Sequence, residues 1–280
     1  MPLPPTDAAG PLPVRMQDGL SGLVLQLEPA PAVVLRRGER RFTLRLDIGN
    51  AAYYTGEVME EAIYQDTERQ ELRVGGRWGL GKGQEVNAYF TLAARNAGIM
   101  DPLLRFWHHA IVPYEEPGQG KTPNFQNIVE VNSGPTSLTL NRGAAALTNL
   151  TLGFTTTLTP HVSARAAVKL PVSGSKSYLD TGGTDIALGL MTTHQLRKRL
   201  WVHGNLNLVQ AGGTQVGVLT NGTRTYHGSV VALEQRVSSK DSVVFQAEET
   251  VYPFVRNLAS GSGGRRQMSL GLQRTYANGT

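Results

Sequence analysis

A chain of 280 residues is long enough for one large all-β domain or two small ones, and 27 Lys and Arg against 22 Asp and Glu leave it basic. The charges are scattered along the chain at short intervals, which argues against a basic nucleic-acid-binding tail. Cysteine is absent, which excludes disulfides and thiolate metal sites, and no apolar run approaches the roughly 18–20 residues of a membrane helix.

Within the N-terminal segment 1–38, residues 1–19 show no basic head followed by an apolar core, so no secretory leader is visible. Either the leader has been removed or the true start lies upstream, and the segment is expected to be periplasmic or lumenal. From residue 39 onward apolar and polar residues alternate in segments of about ten, the length of a tilted barrel strand. In 41–50, Phe42, Leu44, Leu46 and Ile48 alternate with Arg41, Thr43, Arg45 and Asp47. In 70–80, Leu72, Val74, Trp78 and Leu80 oppose Glu71, Arg73 and Arg77, and in 84–96, Val86, Ala88, Phe90 and Leu92 oppose Glu85, Asn87 and Arg95.

The longest connection, 97–145, holds two smaller pieces. Asp101 as N-cap and Pro102 in the first turn, followed by Leu103, Phe106, Trp107, Ala110 and Ile111 at helical spacing, predict a short helix over 101–111 in which His108 and His109 are adjacent. Segments 128–132 and 136–140 flank Ser133-Gly134-Pro135 and predict an external hairpin.

Alternation then resumes. Leu150, Leu152, Phe154 and Leu158 form one strand face; Val162, Ala164, Ala166, Val168 and Leu170 oppose Arg165 and Lys169; Ile186, Leu188 and Leu190 oppose Asp185. Leu200, Val202, Leu206 and Leu208 oppose His203, Asn205 and Asn207; Val231, Leu233 and Val237 oppose Glu234 and Arg236; Val243, Phe245, Ala247 and Val251 oppose Gln246, Glu248 and Thr250. The last segment, 264–276, carries Met268, Leu270, Leu272 and Tyr276. About ten strands result. Short turns at 81–83, 159–161, 197–199 and 238–241 alternate with long connections at 51–67, 97–145, 172–183, 211–223 and 253–263, as in an up-and-down antiparallel transmembrane β-barrel over 39–280. The chain runs on into Asn278-Gly279, a hairpin signal, so the barrel is expected to be C-terminally incomplete, with about twelve strands when intact.

A soluble sandwich would show the same alternation with its apolar face turned inward. The polar face argues for a wet or ion-paired lumen, because Arg45, Asp47, Glu71, Arg73, Arg77, Glu85, Arg95, Arg165, Lys169 and Asp185 lie mid-strand with mixed sign.

The stretch 98–113 (GIMDPLLRFWHHAIVP), with Lys169-Leu170-Pro171 and Gly182-Gly183-Thr184-Asp185, resembles a family of Gram-negative envelope proteins catalogued as domain of unknown function three-one-eight-seven. The resemblance covers 15–276. It implies an outer-membrane barrel and supplies no activity, substrate or catalytic residue.

Adjacent residues on a helix point about 100° apart, so His108 and His109 make a poor metal pair, and no metal or cofactor is expected. His227 and Ser229, two apart on a strand, are similar to the His-x-Ser of outer-membrane lipid A deacylases, with Glu234, Glu248 and Glu249 as loose acid candidates. Gly79-Leu80-Gly81-Lys82-Gly83 precedes no helix and reads as a turn, not a phosphate cradle. The expectation is a non-enzymatic bacterial outer-membrane channel or transporter for small anionic solutes, embedded in outer-membrane lipid, with no nucleic-acid partner. A closed-lumen structural or binding protein contacting surface glycans is the alternative, and a lipid hydrolase the remote one.

Overall fold

The computed structural model describes residues 8–15, 21–54, 61–97, 100, 102–103, 106, 110, 128–133, 136–140, 143–173, 179–212, 215–216, 219–220, 225–251 and 264–274. After a 3-10 turn, Ser21–Leu23, come β1 (Arg40–Tyr54), β2 (Glu61–Gly81), β3 (Gln84–Asn96), β4 (Ile128–Ser133), β5 (Thr136–Leu140), β6 (Ala144–Thr159) and β7 (Val162–Pro171). They are followed by β8 (Asp185–Arg197), β9 (Leu200–Gln210), β10 (Gln215–Val216), β11 (Leu219–Thr220), β12 (Thr225–Arg236), β13 (Asp241–Val251) and β14 (Gly264–Arg274).

β1, β2, β3, β6, β7, β8, β9, β12, β13 and β14 follow one another across the sheet, each antiparallel to the next. These are the ten strands marked by alternation in the sequence. β4 and β5 form the expected hairpin, but it also joins the sheet: β4 pairs with Glu61 to Asp66 of β2, above the stretch that β3 covers. The connection expected over 51–67 is a correction. β1 and β2 continue pairing up to Tyr54↔Tyr64, because Tyr53, Tyr54, Ile63 and Tyr64 favour extended backbone even where strict alternation fades. Of the helix expected over 101–111, only 102, 103, 106 and 110 are described, with helical backbone, and Leu103 and Phe106 are exposed. Asp101, Trp107, His108, His109 and the Asn278-Gly279 turn lie outside the described residues.

The turn between β2 and β3 has positive φ at Gly81, Lys82 and Gly83, a conformation that the flanking glycines make cheap.

The sheet is inside out relative to a water-soluble sandwich. Outward residues are large and apolar, with Phe42 76%, Leu188 58% and Leu270 75% exposed, while inward positions are polar and buried, Asp185 and His203 at 0%. From Phe42 to Ile48 the band runs about 20 Å along β1, against the roughly 25 Å apolar belt of a membrane barrel. Water would penalise this face and lipid would not, so the soluble sandwich is ruled out. No helix among the described residues is long and apolar enough to cross a membrane.

β1 pairs with β2 and β14 with β13, and no ladder joins β1 to β14 among the described residues. Both therefore behave as edges: their outward side chains are more exposed than those of β9, for example Leu44 at 77% against Leu208 at 52%.

Candidate functional site

The interior of the sheet is occupied by the chain's own N-terminal segment. Pro11, Pro13, Pro29 and Pro31 hold φ near −65° and lack donors, so the segment stays extended and offers its remaining backbone groups to the wall. Residues 9–10 lie near the short-turn end, 21–25 at the long-loop end, and 26–39 descend into β1.

Near its start, Ala9 and Gly10 donate backbone N–H groups to Glu234 at 3.0 and 2.9 Å, and Gln273 of β14 donates to the carbonyls of Gly10 and Pro11 at 3.3 and 3.1 Å. Gly10 has φ 98°, and a Cβ there would lie 2.7 Å from Pro31, so only glycine fits. Glu234 also accepts from Ser242 at 2.8 Å and lies 3.1 Å from His203 Nε2, while His203 Nδ1 lies 3.1 Å from Thr193 Oγ1. All four side chains are buried, and Thr193 also accepts from Ala32 N–H at 2.9 Å. This network ties both arms of the segment to β8, β9, β12 and β13.

Midway, Glu28 is shared by three guanidinium groups: Arg73, Arg45 at 3.2 Å and Arg15 at 3.9 Å. Arg15 reaches Glu71 at 2.6 Å, Arg45 pairs with Asp47 at 2.6 Å and donates to the Pro13 carbonyl, and Arg77 holds Glu85 through two bonds of 2.7 and 2.8 Å. Arg73 also lies over the Tyr89 ring, 4.0 Å from its centroid.

At the long-loop end, Lys169 is fully enclosed. Its ammonium meets Asp180 at 3.1 Å, Asp185 at 3.0 Å and the Leu23 carbonyl at 3.0 Å. Arg69 donates to the carbonyls of Gly22 and Leu179, so Leu179, shortly before β8, is held beside the segment. Burial pushes the Asp180 carboxyl above the usual carboxylate range, although Lys169 and the Gly182 N–H pull the other way.

All ten residues expected to line the lumen lie on the inward face: Arg45, Asp47, Glu71, Arg73, Arg77, Glu85, Arg95, Arg165, Lys169 and Asp185. Sequence reasoning missed their partners Arg15 and Glu28, because the segment has no period to place them. It also left out His203 and Glu234, although alternation puts both on this face. A cavity of about 420 Å³ remains between the segment and the strands, lined by Glu28, Arg41, Arg45, Arg73, Arg77, Glu85, Tyr89, Arg165 and neighbours reaching Gln273 and Arg274.

The His227 and Ser229 pair lies on the opposite, outward face of β12 with Val231 and Leu233. Among the described residues no hydrogen bond joins the two. Glu234 and Glu248 point inward, away from them, and Glu249, which is opposite Ser229 in the ladder, is engaged by Arg266 at 3.2 Å.

In fold the chain is similar to three solved structures. A Pseudomonas aeruginosa FadL homologue shares 10% identity over 78% of this chain and 57% of that one, with a TM-score of 0.39, so this chain spans little over half its length. The NanC porin in a rhombohedral crystal form shares 8% over 77% of this chain and 98% of that one, TM-score 0.37. The CymD monoaromatic hydrocarbon channel shares 10% over 87% and 81%, TM-score 0.37. No family model matches the chain, and no curated protein matches it in sequence.

Proposed function

We propose that the chain is a bacterial outer-membrane barrel that admits small anionic solutes into a lumen narrowed by its own N-terminal segment. The observation that carries this reading is the surplus of guanidinium groups around an inner cavity of about 420 Å³, on a sheet whose outer face is built for lipid. Selectivity then comes from fixed positive charge, and conductance is low because the segment fills the bore. The envelope family of domain of unknown function three-one-eight-seven, resembled in sequence, is consistent with such a barrel.

A second reading is favoured by one specific feature. Hydrogen bonds run from the segment to β1, β2, β3, β7, β8, β9, β12 and β14, which suits a permanently closed structural or glycan-contacting protein. Planar-bilayer recording separates the two. Small conductance with a reversal potential favouring anions, rising in Glu28→Gln where the segment loses its shared carboxylate, supports passage. A cation preference overturns the anionic reading, and silence of both proteins supports the closed one.

A further inference from the structure

The inner cavity is more than a gap beside the segment. Of the five arginines that line it from β1, β2 and β7, Arg77 is matched by Glu85, Arg45 by Asp47, and Arg73 by Glu28, which Arg45 and Arg15 also reach. Arg41 and Arg165 have no carboxylate within 4.0 Å among the described residues. Six guanidinium groups and two carboxylates, Glu28 and Glu85, line about 420 Å³, and once Asp47 on Arg45 and Asp241 on Arg274 are counted, Arg41 and Arg165 are left over.

Arg165 is held for a purpose that its visible partners do not exhaust. One terminal nitrogen donates to the Glu28 carbonyl at 2.5 Å and the other to Asn207 at 2.8 Å, both neutral acceptors, while its buried Nε has no hydrogen-bond partner among the described residues. The Nε of Arg73 is likewise buried and unpartnered among the described residues. A buried guanidinium satisfied only by neutral groups is costly, and a bound anion would offset that cost. The room for Arg165 is built in: at Gly189 on the facing strand a Cβ would lie 3.0 Å from Arg165 Nε and 2.6 Å from Asn207 Oδ1.

The volume is several times that of an inorganic anion and falls within the range of small-molecule sites. We propose that this cavity binds a small organic oxyanion, carrying carboxylate or phosphate groups, whose charge is met by Arg165 and Arg41 with Arg73 and its stacked Tyr89 as one wall. This deepens the anionic reading above and rests on it for access, but not for binding itself. Because Arg41 and Arg45 come from β1 and Gln273 and Arg274 from β14, the cavity reaches both edges of the sheet, so the oxyanion has two possible sources: a soluble molecule or the headgroup of an anionic lipid.

The test uses the full chain in phosphatidylcholine nanodiscs, with and without phosphatidylglycerol, and citrate as soluble probe, glycerol as neutral control. Thermal unfolding is followed, with electrophoretic heat-modifiability confirming that each variant is folded. Expected is a citrate-dependent rise in midpoint for the wild type, none with glycerol, loss of the response in Arg165→Met, and partial retention in Arg165→Lys, which keeps charge but not the fork. Gly189→Ala, which displaces Arg165 without removing it, is expected to weaken the response several-fold. If phosphatidylglycerol alone raises the midpoint in an Arg165-dependent way and blunts the citrate response, the site is a headgroup site. Equal responses of wild type and Arg165→Met, or none to either probe, overturn the proposal. Arg165-dependent binding without conductance would sink the passage reading and leave the site standing; conductance without binding would do the reverse.

Discussion

Two faces of one sheet, one residue apart along every strand, obey opposite rules. On β8 Leu188 is 58% exposed and apolar, while Asp185 and Ala187 on the inner face are at 0% and 1%. Outside, each side chain needs only to be greasy, and its neighbours matter little. Inside, each charged group depends on a named partner, usually from the N-terminal segment. The outer face should therefore tolerate any apolar residue and the inner face almost no single change. The largest effect is expected at Lys169, whose removal leaves Asp180 and Asp185 buried together. Lys169→Met is expected to cost about 3–5 kcal/mol in urea unfolding from lipid vesicles. A cost no larger than that of an exposed lysine would show that the inner face is wetter than its burial suggests.

The outer face is probed by placing charge on it. Leu188→Arg near mid-belt is expected to cost about 2–4 kcal/mol, and Leu196→Arg beside the short β8 to β9 turn about 0–1 kcal/mol, a gradient that only a lipid slab produces. Spin labels at Leu72 and Phe90 should report lipid and not water. Equal penalties at both depths would mean that something other than bilayer surrounds the sheet.

Much of this division was legible in the sequence. Period-2 alternation placed all ten long strands and sorted their residues between faces, because a strand turns each successive side chain the other way whatever surrounds it. The short turns were legible for the same reason, glycines at 81 and 83 marking one of them. What was not legible is the part without period. Residues 8–15 and 21–35 bind through backbone carbonyls and N–H groups fixed by proline, as with Leu25 and Ala30 on Asp185 and Asn205, and such contacts leave no pattern. Arg45 was readable as inward, but that Glu28, 17 positions earlier, would answer it was not.

A smaller effect tests the contact between the segment and the sheet edge. Gly271 on β14 faces inward, and a Cβ there would lie 2.7 Å from Leu12, which packs with Ala232 and Val244. Gly271→Ala is expected to cost about 1–3 kcal/mol by overpacking. Adding Leu12→Ala should restore part of that loss, since the two changes share one volume. Simple additivity in the same urea assay would show that the segment does not rest on β14.

The smallest change is expected at Asp180, and it sharpens the contrast between faces by asking whether one inner partner is surplus. Lys169 carries one positive charge against two buried carboxylates, Asp180 and Asp185, so the cluster holds an excess negative charge. Burial raises the Asp180 carboxyl above its ordinary value. A folded-state pKa above the unfolded one means that the folded protein holds the proton more tightly. The resulting stabilisation is full below the ordinary aspartate value of about 3.9 and is lost as pH rises through the higher folded value. Asp180→Asn removes that loss, and its amide oxygen can still accept from Gly182 N–H, now at 2.7 Å. The variant should match or slightly exceed wild type near neutral pH and show a flatter profile of unfolding midpoint against pH over the acidic range. If it instead falls as far as Lys169→Met, both carboxylates are needed to hold the ammonium; Asp185 alone, with the Leu23 carbonyl, would then be too weak an anchor for the top of the segment.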